Sequence, residues 1–392
     1  MTLTLDVVAA GGETRARMWF DNPAEHGSFR GGGKMQIQAE ALRGIARRIF
    51  AAAGSSSGEA EKVAGRLVEA NLTGHDSHGV IRIHQYVTAV QGGWLHPNTS
   101  VEVISETGAV IALDGGFGFG QVVAEQAMER AIGKARTHGV ALMTLRNSSH
   151  VGRLADWVLM AASEGQVALM LCNAAGAPPF VVPHGGREAR SSTNPMAVAV
   201  PVPGGEPFML DFATAAIAEG KVRVAHHKGV EVPEDCLLAP DGTPTRDPGV
   251  LYQEPRGTLL PFGGRVSGHK GGGLVLACDL LAGALSGGRC NHPVDPARIR
   301  FANNLFAVVV APDVYGSDFG IGEEVRAFLD YVRTSAPRTP DGEVLIPGEP
   351  ERRNRAERSV RGVPLPDATF EQLLEAGELV GLAAAELQAL AS

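Results

Sequence analysis

The chain has 392 residues, of which 44% are hydrophobic and 20% charged, and this length and composition predict a globular protein of two or three domains. Its net charge of −8 and the lack of a lysine- and arginine-rich block argue against a nucleic-acid partner, and its four widely spaced cysteines, without a C-x-x-C pair, argue against a structural zinc site or a disulfide framework. No apolar run is long enough for a signal peptide or a membrane span, so we expect a soluble cytoplasmic protein.

The first part of the chain predicts a flexible extension followed by a helical module. Residues 1–34 show no apolar period and end in "RGGGK", so we place them outside the core and take Met35 as a candidate biological start. Apolar residues spaced by three and four positions, with serine and glycine at the boundaries, predict helices over 35–52, 56–74 and 77–91.

After this module the pattern changes to alternating strands and helices, which is typical of an α/β fold with a mixed sheet. "VEVISETGAVIALDG" predicts two strands, and "GQVVAEQAMERAIGKARTHG" predicts a long helix that leads into the strand "VALMTL". Further strands are predicted over 167–172, 196–202, 208–210 and 305–310, with a helix over 268–285. The C-terminal tail is predicted to be helical and to pack against the opening helices.

The glycine-rich segments lack the motifs of the common nucleotide-binding and hydrolase folds. "GFGFGQ" has Gln121 where G-x-G-x-x-G requires its third glycine, so no Rossmann fingerprint is present. The Gly-Lys pairs at 133–134 and 220–221 lack the other residues of a P-loop. "GSSSG", which begins at Gly54, matches a nucleophile elbow only in its letters, because it joins two helices rather than a strand and a helix.

The segment "NLTGHDSHGVIRIHQY" carries a dense cluster of polar side chains. If Asp76 or Ser77 caps the third helix, then His78, Arg82 and Tyr86 recur every four residues and share one face. Arginine offers a planar pair of donors to a carboxylate, and histidine exchanges protons near neutral pH. This face therefore suits a 2-hydroxy or 2-oxo acid.

Two other interpretations of the same segment remain open. A capped helix start with solvated side chains gives the same pattern. A metal site would use the imidazoles of His75, His78 and His84, although one nearby acid is a poor match to H-E-x-x-H.

Three later segments indicate where a ligand or cofactor would bind. "RNSSHVGRLADW" places His150 in a polar loop between a strand and a helix, a common ligand position in α/β sheets. "FMLDFATAAIAEGKV" ends a strand at Asp211, and "SGHKGGGL" places Lys270 beside three glycines at a helix start, which suits a phosphate. An ordinary loop histidine, a capping aspartate and tight glycine packing are the alternatives.

Seven segments resemble, in the same order, the malate/L-lactate dehydrogenase superfamily, whose members lack a Rossmann fold. They are "GHDSHGVIRI", "NSSHVGR", "STNP", "LDFATAAIAEGKVRVAHHKG", "GHKGGGL", "LAGALSGG" and "IPGEPE". The likeness extends from residue 35 to residue 392 and is closest to the hydroxycarboxylate dehydrogenase B branch. It implies a homodimer that binds NAD or NADP, with a mixed-sheet cofactor domain over 106–349 and a helical domain built from 35–105 and 350–392.

The resemblance also implies roles for individual residues. Ser77, His78 and His150 are implied in catalysis, Arg82 in holding the substrate carboxylate, and Tyr86 in lining the substrate pocket. The implied cofactor-binding residues are His78, Arg153, Leu154, Ala155, Leu210, Asp211, Phe212, Ala213, Thr214, Lys270, Gly271, Asn303, Gly348, Glu349, Pro350 and Glu351. No metal is implied.

Together these observations predict an NAD- or NADP-dependent oxidoreductase that interconverts a 2-oxo carboxylic acid and its 2-hydroxy acid by hydride transfer. In reduction, Arg82 would hold the carboxylate and a protonated histidine would protonate the forming alkoxide. Gly272 and Ala155 differ from the residues that are usual in the family at these positions, and we expect these differences to alter the affinity for the cofactor. The alternatives are a reductase of a cyclic imine carboxylate, a metal-dependent hydrolase, and a binding protein without catalytic activity.

Overall fold

The computed structural model describes residues 34–293, 300–316 and 320–391. Apart from Lys34, the predicted extension lies outside the described residues. Met35 as the start of the native chain stays a prediction. The first helix begins at Ala39 and not at Met35, because residues 34–37 form a strand that pairs with the C-terminal part of the chain.

Most of both ends of the described chain is helical, and helices alternate with strands between them. Numbered α1 to α11 in chain order along the described ranges, they are Ala39–Ala52, Ser57–Leu72, Ile83–Gln91, Gly120–His138, Ala155–Ser163, Glu219–Lys228, Gly264–Cys278, Ile321–Arg333, Glu349–Arg361, Asp367–Leu379 and Ala384–Ala391. The helix predicted over 268–285 is α7 followed by a π-helical turn, Asp279–Ala284. Helices α6 and α8 were not predicted; α9 lies within the C-terminal helices that the resemblance implied from residue 350, although its own sequence, "EPERRNRAERSVR", has too few apolar residues to set a period.

The strands confirm the mixed sheet that the sequence predicted. Numbered β1 to β12, they are Lys34–Ile37, Glu102–Thr107, Val110–Asp114, Val140–Ser148, Val167–Ala175, Pro195–Val200, Phe208–Ala213, Leu237–Leu238, Pro244–Thr245, Thr258–Leu259, Ala302–Val310 and Val363–Pro366. Seven of them form one sheet in the order β2-β3-β4-β11-β5-β6-β7. In this sheet β3 and β4 run parallel, and the other neighbouring pairs are antiparallel.

The two ends of the chain share one hydrophobic core. Buried side chains of α1 and α3, such as Ile45 and Ile83, pack in the same cluster as Leu373 of α10 and Leu387 of α11. The predicted packing of the C-terminal helices on the opening helices is therefore confirmed. Strand β2 begins at Glu102, so the large sheet starts before residue 106, where the sequence placed the start of the cofactor domain; the rest of that division stays a prediction.

A second core lies between the large sheet and helices α4 and α5, where Trp157 is fully buried. This packing fixes the carboxyl end of β4 and the start of α5. The loop that carries His150 lies between them. Within the described ranges, no helix combines the length and the apolar character that crossing a lipid bilayer requires.

Candidate active site

The first histidine segment is shaped by a buried asparagine near the end of α2. Asn71 Oδ1 accepts from the Val80 backbone N–H (2.9 Å), and its Nδ2 donates to Asp76 Oδ1 (2.7 Å). Between these two anchors only glycine fits, because a Cβ on Gly79 would lie 2.1 Å from Asn71 Oδ1. The segment is therefore bent tightly over Asn71.

This bend overturns the predicted continuous helix over 77–91. Two short 3-10 turns, Asp76–His78 and Val80–Arg82, come first, and α3 begins only at Ile83. Neither Asp76 nor Ser77 caps a helix, because the backbone at Gly79 is extended and interrupts the helical path. The side chains of the segment are nevertheless brought to one site by the turns.

The half-buried Arg82 side chain is fixed at two of its three nitrogens. Nε donates to the Ser77 carbonyl oxygen (2.7 Å), and Nη1 donates to Gln85 Oε1 (3.0 Å). Nη2 has no acceptor among the residues that the structure describes, and Nη1 keeps a second N–H. The edge formed by Nη1 and Nη2 is thus free to take both oxygens of a carboxylate.

His150 lies in the loop after β4, and this loop is held from two sides. The Val151 N–H donates to Asn303 Oδ1 (3.0 Å), and the Ser149 hydroxyl donates to the Gly118 carbonyl oxygen (2.6 Å). Gly120, at the start of α4, packs directly on the loop, because a Cβ there would lie 2.2 Å from the His150 carbonyl oxygen. The histidine is therefore presented by a rigid backbone.

The two histidine segments, distant in sequence, meet at one site. The His78 and His150 rings stack with their centroids 5.4 Å apart and 26° between their planes. The Ser77 hydroxyl lies 3.0 Å from His78 Nδ1. Both rings are half-buried, so each has one protected and one accessible part.

A chain of hydrogen bonds ends on the protected side of His150. Gln121 Nε2 donates to the Tyr86 hydroxyl oxygen (2.9 Å), and the Tyr86 hydroxyl lies 2.7 Å from His150 Nδ1. Because the tyrosine oxygen already accepts from Gln121, its own proton is directed to Nδ1. The neutral His150 ring then carries its proton on Nε2, the nitrogen that is left for a ligand.

Burial and the nearby guanidinium keep both imidazoles uncharged in this chain. Burial, followed by the positive charge of Arg82, lowers the pKa of His78 to about 3. The pKa of His150 is held well below its usual value by the same causes in the same order. In the free site both rings are therefore neutral at neutral pH, and the protonated histidine expected in reduction stays a prediction.

Tyr86 has a position that its sequence role did not suggest. Its side chain is 0% exposed, and its hydroxyl is engaged by His150 and Gln121, so it lies behind the histidine rather than on a pocket wall. Burial raises the pKa of its phenol to about 12, so the phenol keeps its proton. Gln121 was not selected from the sequence; a glutamine that opens the apolar segment "GQVVA" is the signal that could have found it.

A second group of predicted residues meets beside this site. Asp211, within β7, accepts from the Ala155 N–H through Oδ2 (2.8 Å), which joins β7 to the start of α5. Burial raises the pKa of Asp211, opposed by the Ala155 N–H. Glu351 Oε1 lies 3.4 Å from His75 Nε2. The segments that contain Ala155, Asp211 and Glu351 therefore converge near His78, whose pKa also responds to His75.

The acceptors in this second group fit a dinucleotide cofactor. Glu351 Oε2 is buried and has no hydrogen-bond partner, so it is an acceptor that a ribose hydroxyl could satisfy. Arg153 is 5% exposed and its Nε donates to Asp156 Oδ1 (2.8 Å), so its charge is already paired. Leu154 is buried beside it.

Other residues implied in cofactor binding have structural contacts of their own. Asn303 uses both ends of its amide, Oδ1 on Val151 N–H and Nδ2 on the Asn173 carbonyl oxygen (3.0 Å). The buried Thr214 donates to the Asn194 carbonyl oxygen (2.8 Å). These side chains support the loops around the site.

The glycine-rich segment of α7 joins the second group through aromatic contacts. The Phe212 and Phe262 rings lie 5.6 Å apart, and Gly271 packs so closely on Phe262 that a Cβ would lie 2.0 Å from its carbonyl oxygen. Lys270 is exposed. Leu210 and Ala213 belong to the same strand, β7, as Asp211. On the other side, the Met209 N–H reaches the Pro347 carbonyl oxygen (3.4 Å), which brings Gly348 and the start of α9, with Glu349 and Pro350, to the beginning of β7.

The metal alternative finds no support in this geometry. No group of three or more histidine, cysteine, aspartate or glutamate side chains in the described part of the chain could hold a metal ion. His75 faces Glu351, and His78 stacks on His150. His84 lies apart, on α3, where burial lowers its pKa and the charge of Glu375 opposes this shift.

Comparisons with known proteins agree with this geometry. The family model for malate/L-lactate dehydrogenase matches residues 37–374. The chain is 38% identical to hydroxycarboxylate dehydrogenase B of Escherichia coli strain K12 over 90% of this chain and 97% of the relative. It is 40% identical to L-lactate dehydrogenase of Cupriavidus necator, over 83% of this chain and 92% of the relative.

A third relative acts on a different bond, and a solved structure shares the fold. The Delta(1)-pyrroline-2-carboxylate/Delta(1)-piperideine-2-carboxylate reductase of Pseudomonas syringae pv. tomato is 33% identical, over 84% of this chain and 93% of the relative. The structure of a putative malate/lactate dehydrogenase from E. coli superposes with a TM-score of 0.85 at 37% identity, and covers 91% of this chain and 98% of that one.

Proposed function

The chain belongs to the malate/L-lactate dehydrogenase family and is an oxidoreductase, and from that premise we propose that it interconverts a 2-oxo carboxylic acid and its 2-hydroxy acid with NAD or NADP as hydride carrier. The observation that carries this proposal is the convergence of the free edge of Arg82 with two stacked imidazoles, His78 and His150. A carboxylate and an adjacent oxygen atom are what such a site recognises.

The Nη1 and Nη2 edge of Arg82 holds the substrate carboxylate. The other contacts of the guanidinium, to the Ser77 carbonyl oxygen and to Gln85, fix its plane before the substrate arrives. A fixed guanidinium plane reduces the entropic cost of substrate binding and sets the orientation of the carbon next to the carboxylate.

Binding of the carboxylate prepares the proton donor. The positive charge of Arg82 is one of the causes that lower the pKa of His78 and of His150. A carboxylate on Arg82 offsets that charge, so both pKa values rise and an imidazole can take up a proton. In reduction the imidazolium of His150, whose Nδ1–H donates to the Tyr86 oxygen, gives its Nε2 proton to the developing alkoxide; in oxidation the neutral ring protonated at Nδ1 accepts the hydroxyl proton on Nε2.

Tyr86 and Gln121 act through His150. Their hydrogen bonds fix the plane of the ring in both charge states, because the Tyr86 hydroxyl can donate to Nδ1 of the neutral ring or accept from Nδ1–H of the charged ring. His78 closes the other side of the ring by stacking and is the second candidate for the proton.

The second group of residues would hold the cofactor. Glu351 offers its unpaired oxygen, Asp211 and Ala155 form the adjoining wall, and Lys270 supplies an exposed positive charge. When bound, the reduced nicotinamide supplies a hydride. Titration of the protein with NADH and with NADPH, followed by fluorescence, measures which dinucleotide is preferred.

The experiment that tests the proposal compares the wild type with Arg82→Met in the reduction of pyruvate. Loss of a charged, two-point contact should lower kcat/KM roughly 10- to 150-fold, which corresponds to about 1.5–3 kcal/mol. Arg136→Met is the matched control, because Arg136 forms an exposed ion pair with Glu164. Equal activity of all three proteins, or no oxidation of reduced nicotinamide by any 2-oxo acid, contradicts the proposal.

A second candidate function is reduction of a cyclic imine carboxylate, favoured by the similarity to the pyrroline and piperideine carboxylate reductase. The same Arg82 edge would hold the carboxylate, since both substrates carry it next to the reacting carbon. Assays with pyruvate and with Delta(1)-piperideine-2-carboxylate, at equal cofactor concentration, separate the two. The larger kcat/KM identifies the function.

The homodimer implied by the resemblance is also part of the proposal. Helix α8 has no buried residue in the single chain, and Phe328 and Tyr331 are 58% and 73% exposed. Leu280 and Leu285, beside α7, are 60% and 57% exposed. Apolar surfaces of this kind are commonly covered by another subunit. Light scattering coupled to size exclusion should give twice the chain mass of 41.0 kDa.

A further inference from the structure

Helix α6 begins directly beside the carboxylate-binding arginine. A Cβ placed on Gly220, the second residue of α6, would lie 3.2 Å from the Ser77 Cβ. The Ser77 carbonyl oxygen is in turn the acceptor that holds Arg82 Nε. The first turn of α6 therefore lies against the same backbone that positions the Arg82 guanidinium, and its charged side chains belong to the surroundings of the bound substrate.

That turn carries an ion pair with a third partner. Arg223 Nη2 donates to Glu219 Oε1 (2.9 Å) and Oε2 (3.0 Å), and its Nε donates to Oε1 (3.1 Å). The Tyr252 hydroxyl donates to the same Oε1 (3.0 Å). The Arg223 and Glu219 side chains are 19% and 15% exposed, so solvent screens the pair only in part. The carboxylate is fixed from two directions, and its charge is directed at Arg223.

The pair also acts on Arg82. After burial, the positive charge of Arg223 is the largest cause that lowers the pKa of Arg82, and the charge of Glu219 acts in the opposite direction. Among the described residues, the charged groups that act on the Arg82 pKa are Arg223 and Glu219, so with Arg82 they make two guanidiniums and one carboxylate and a net charge of one positive unit. His78 and His150 add nothing to this total, because both are neutral in the free site.

One positive unit matches one substrate carboxylate. A second carboxylate at the far end of the substrate would bring a net negative charge into a half-buried site, and the only guanidinium left for it on α6, that of Arg223, is already occupied by Glu219. Like charge near a partly desolvated site strongly disfavours binding.

We propose that Glu219, by occupying Arg223, makes this enzyme select 2-oxo and 2-hydroxy acids with a single carboxylate and reject dicarboxylates. This inference rests on the proposed function and names the substrate class of the same site. Glu219 and Arg223 are specificity-determining residues: they act on the far end of the substrate and not on the carbon that accepts the hydride.

The test is the ratio of kcat/KM for oxaloacetate to kcat/KM for pyruvate in the wild type, in Glu219→Gln and in Arg223→Gln. Glutamine at 219 keeps an acceptor for Tyr252 and Arg223 but removes the negative charge, so the ratio should rise about tenfold or more. Glutamine at 223 removes the positive charge and leaves Glu219 exposed to the substrate, so the ratio should fall below that of the wild type. A merely structural role would move both variants in the same direction.

Two further measurements complete the design. Glu164→Gln removes a glutamate from a remote, exposed pair with Arg136 and should leave the ratio unchanged. Calorimetric titration with L-lactate and L-malate, in the presence of oxidised cofactor, should show malate affinity rising in Glu219→Gln relative to lactate.

The outcomes separate the two levels of the proposal. If pyruvate is reduced but the ratio in Glu219→Gln stays within about twofold of the wild type, the role of Glu219 is refuted and the proposed function stands. A wild type whose kcat/KM is higher for oxaloacetate than for pyruvate also refutes the role of Glu219. If no 2-oxo acid is reduced by the wild type, the proposed function fails, and the inference fails with it.

Discussion

Replacement of Tyr86 by phenylalanine tests how the site orients its proton donor. The substitution removes one oxygen atom that accepts from Gln121 Nε2 (2.9 Å) and donates to His150 Nδ1 (2.7 Å). The aromatic ring stays, so the contacts of Tyr86 with Phe50 and Phe119, whose centroids lie 6.3 and 6.0 Å away, are kept. The variant therefore changes hydrogen bonding with little change in packing.

The size of the effect follows from the two groups that lose their partner. A buried polar group without a hydrogen bond costs about 1–3 kcal/mol, and here the free histidine nitrogen and the Gln121 amide share that cost. Gln121 Oε1 is already buried without a partner, so the substitution removes the hydrogen bond of the other end of the amide as well. If about 1–2.7 kcal/mol of this loss falls on the orientation of His150, kcat drops roughly 5- to 100-fold.

The pH dependence distinguishes orientation from a general loss of structure. The Tyr86 hydroxyl donates to Nδ1 and so favours the neutral ring; without it, the pKa of His150 should rise. The acid limb of kcat/KM for oxidation of the 2-hydroxy acid should then move to higher pH. Tyr315→Phe is the control, because Tyr315 is 53% exposed. Unchanged kcat and an unchanged acid limb in Tyr86→Phe would refute the role assigned to Tyr86.

Four other outcomes follow from the same geometry. His78→Ala and His150→Ala should each lower kcat by about 10² or more in steady-state assays, and near-full activity in both would contradict proton transfer at this site. Because the pKa values of both histidines are lowered, the acid limb of kcat/KM for oxidation by the wild type should lie below pH 6.5, the usual histidine value; a limb above it contradicts the neutral free site. Asn303→Ala leaves the buried Val151 N–H unpaired and should lower the free energy of unfolding by about 1–3 kcal/mol in urea titrations, whereas an unchanged midpoint contradicts its support of the loop. Glu351→Ala should weaken cofactor binding several-fold in fluorescence titrations, because the unpaired Glu351 oxygen would contact the cofactor. An unchanged affinity would contradict that contact.

The elements with a clear apolar period could be predicted from the sequence. The helix that became α4 and the strand that became β4 were expected within a few residues, because long amphipathic and alternating patterns are set by burial. The start of α3 could not be predicted, since it depends on Asn71, whose hydrogen bonds to Val80 and Asp76 replace the expected cap. Local spacing does not report such contacts.

The candidate site could be predicted in its residues but not in its charges. Resemblance alone joined His78 and His150, whose segments are separated by the whole of α4. The protonation state depends on burial beside Arg82, which no spacing reveals. Gln121 and Glu219 were missed because each acts through another side chain, and only the folded chain shows which one.

The central claim is most directly tested by a crystal structure of the protein with its nicotinamide cofactor and oxamate, an unreactive analogue of a 2-oxo acid. We expect the oxamate carboxylate on the Nη1 and Nη2 edge of Arg82, and the adjacent oxygen or nitrogen within hydrogen-bonding distance of Nε2 of His150 or of the His78 ring. Oxamate bound elsewhere, with Arg82 and both histidines facing solvent, would contradict the account.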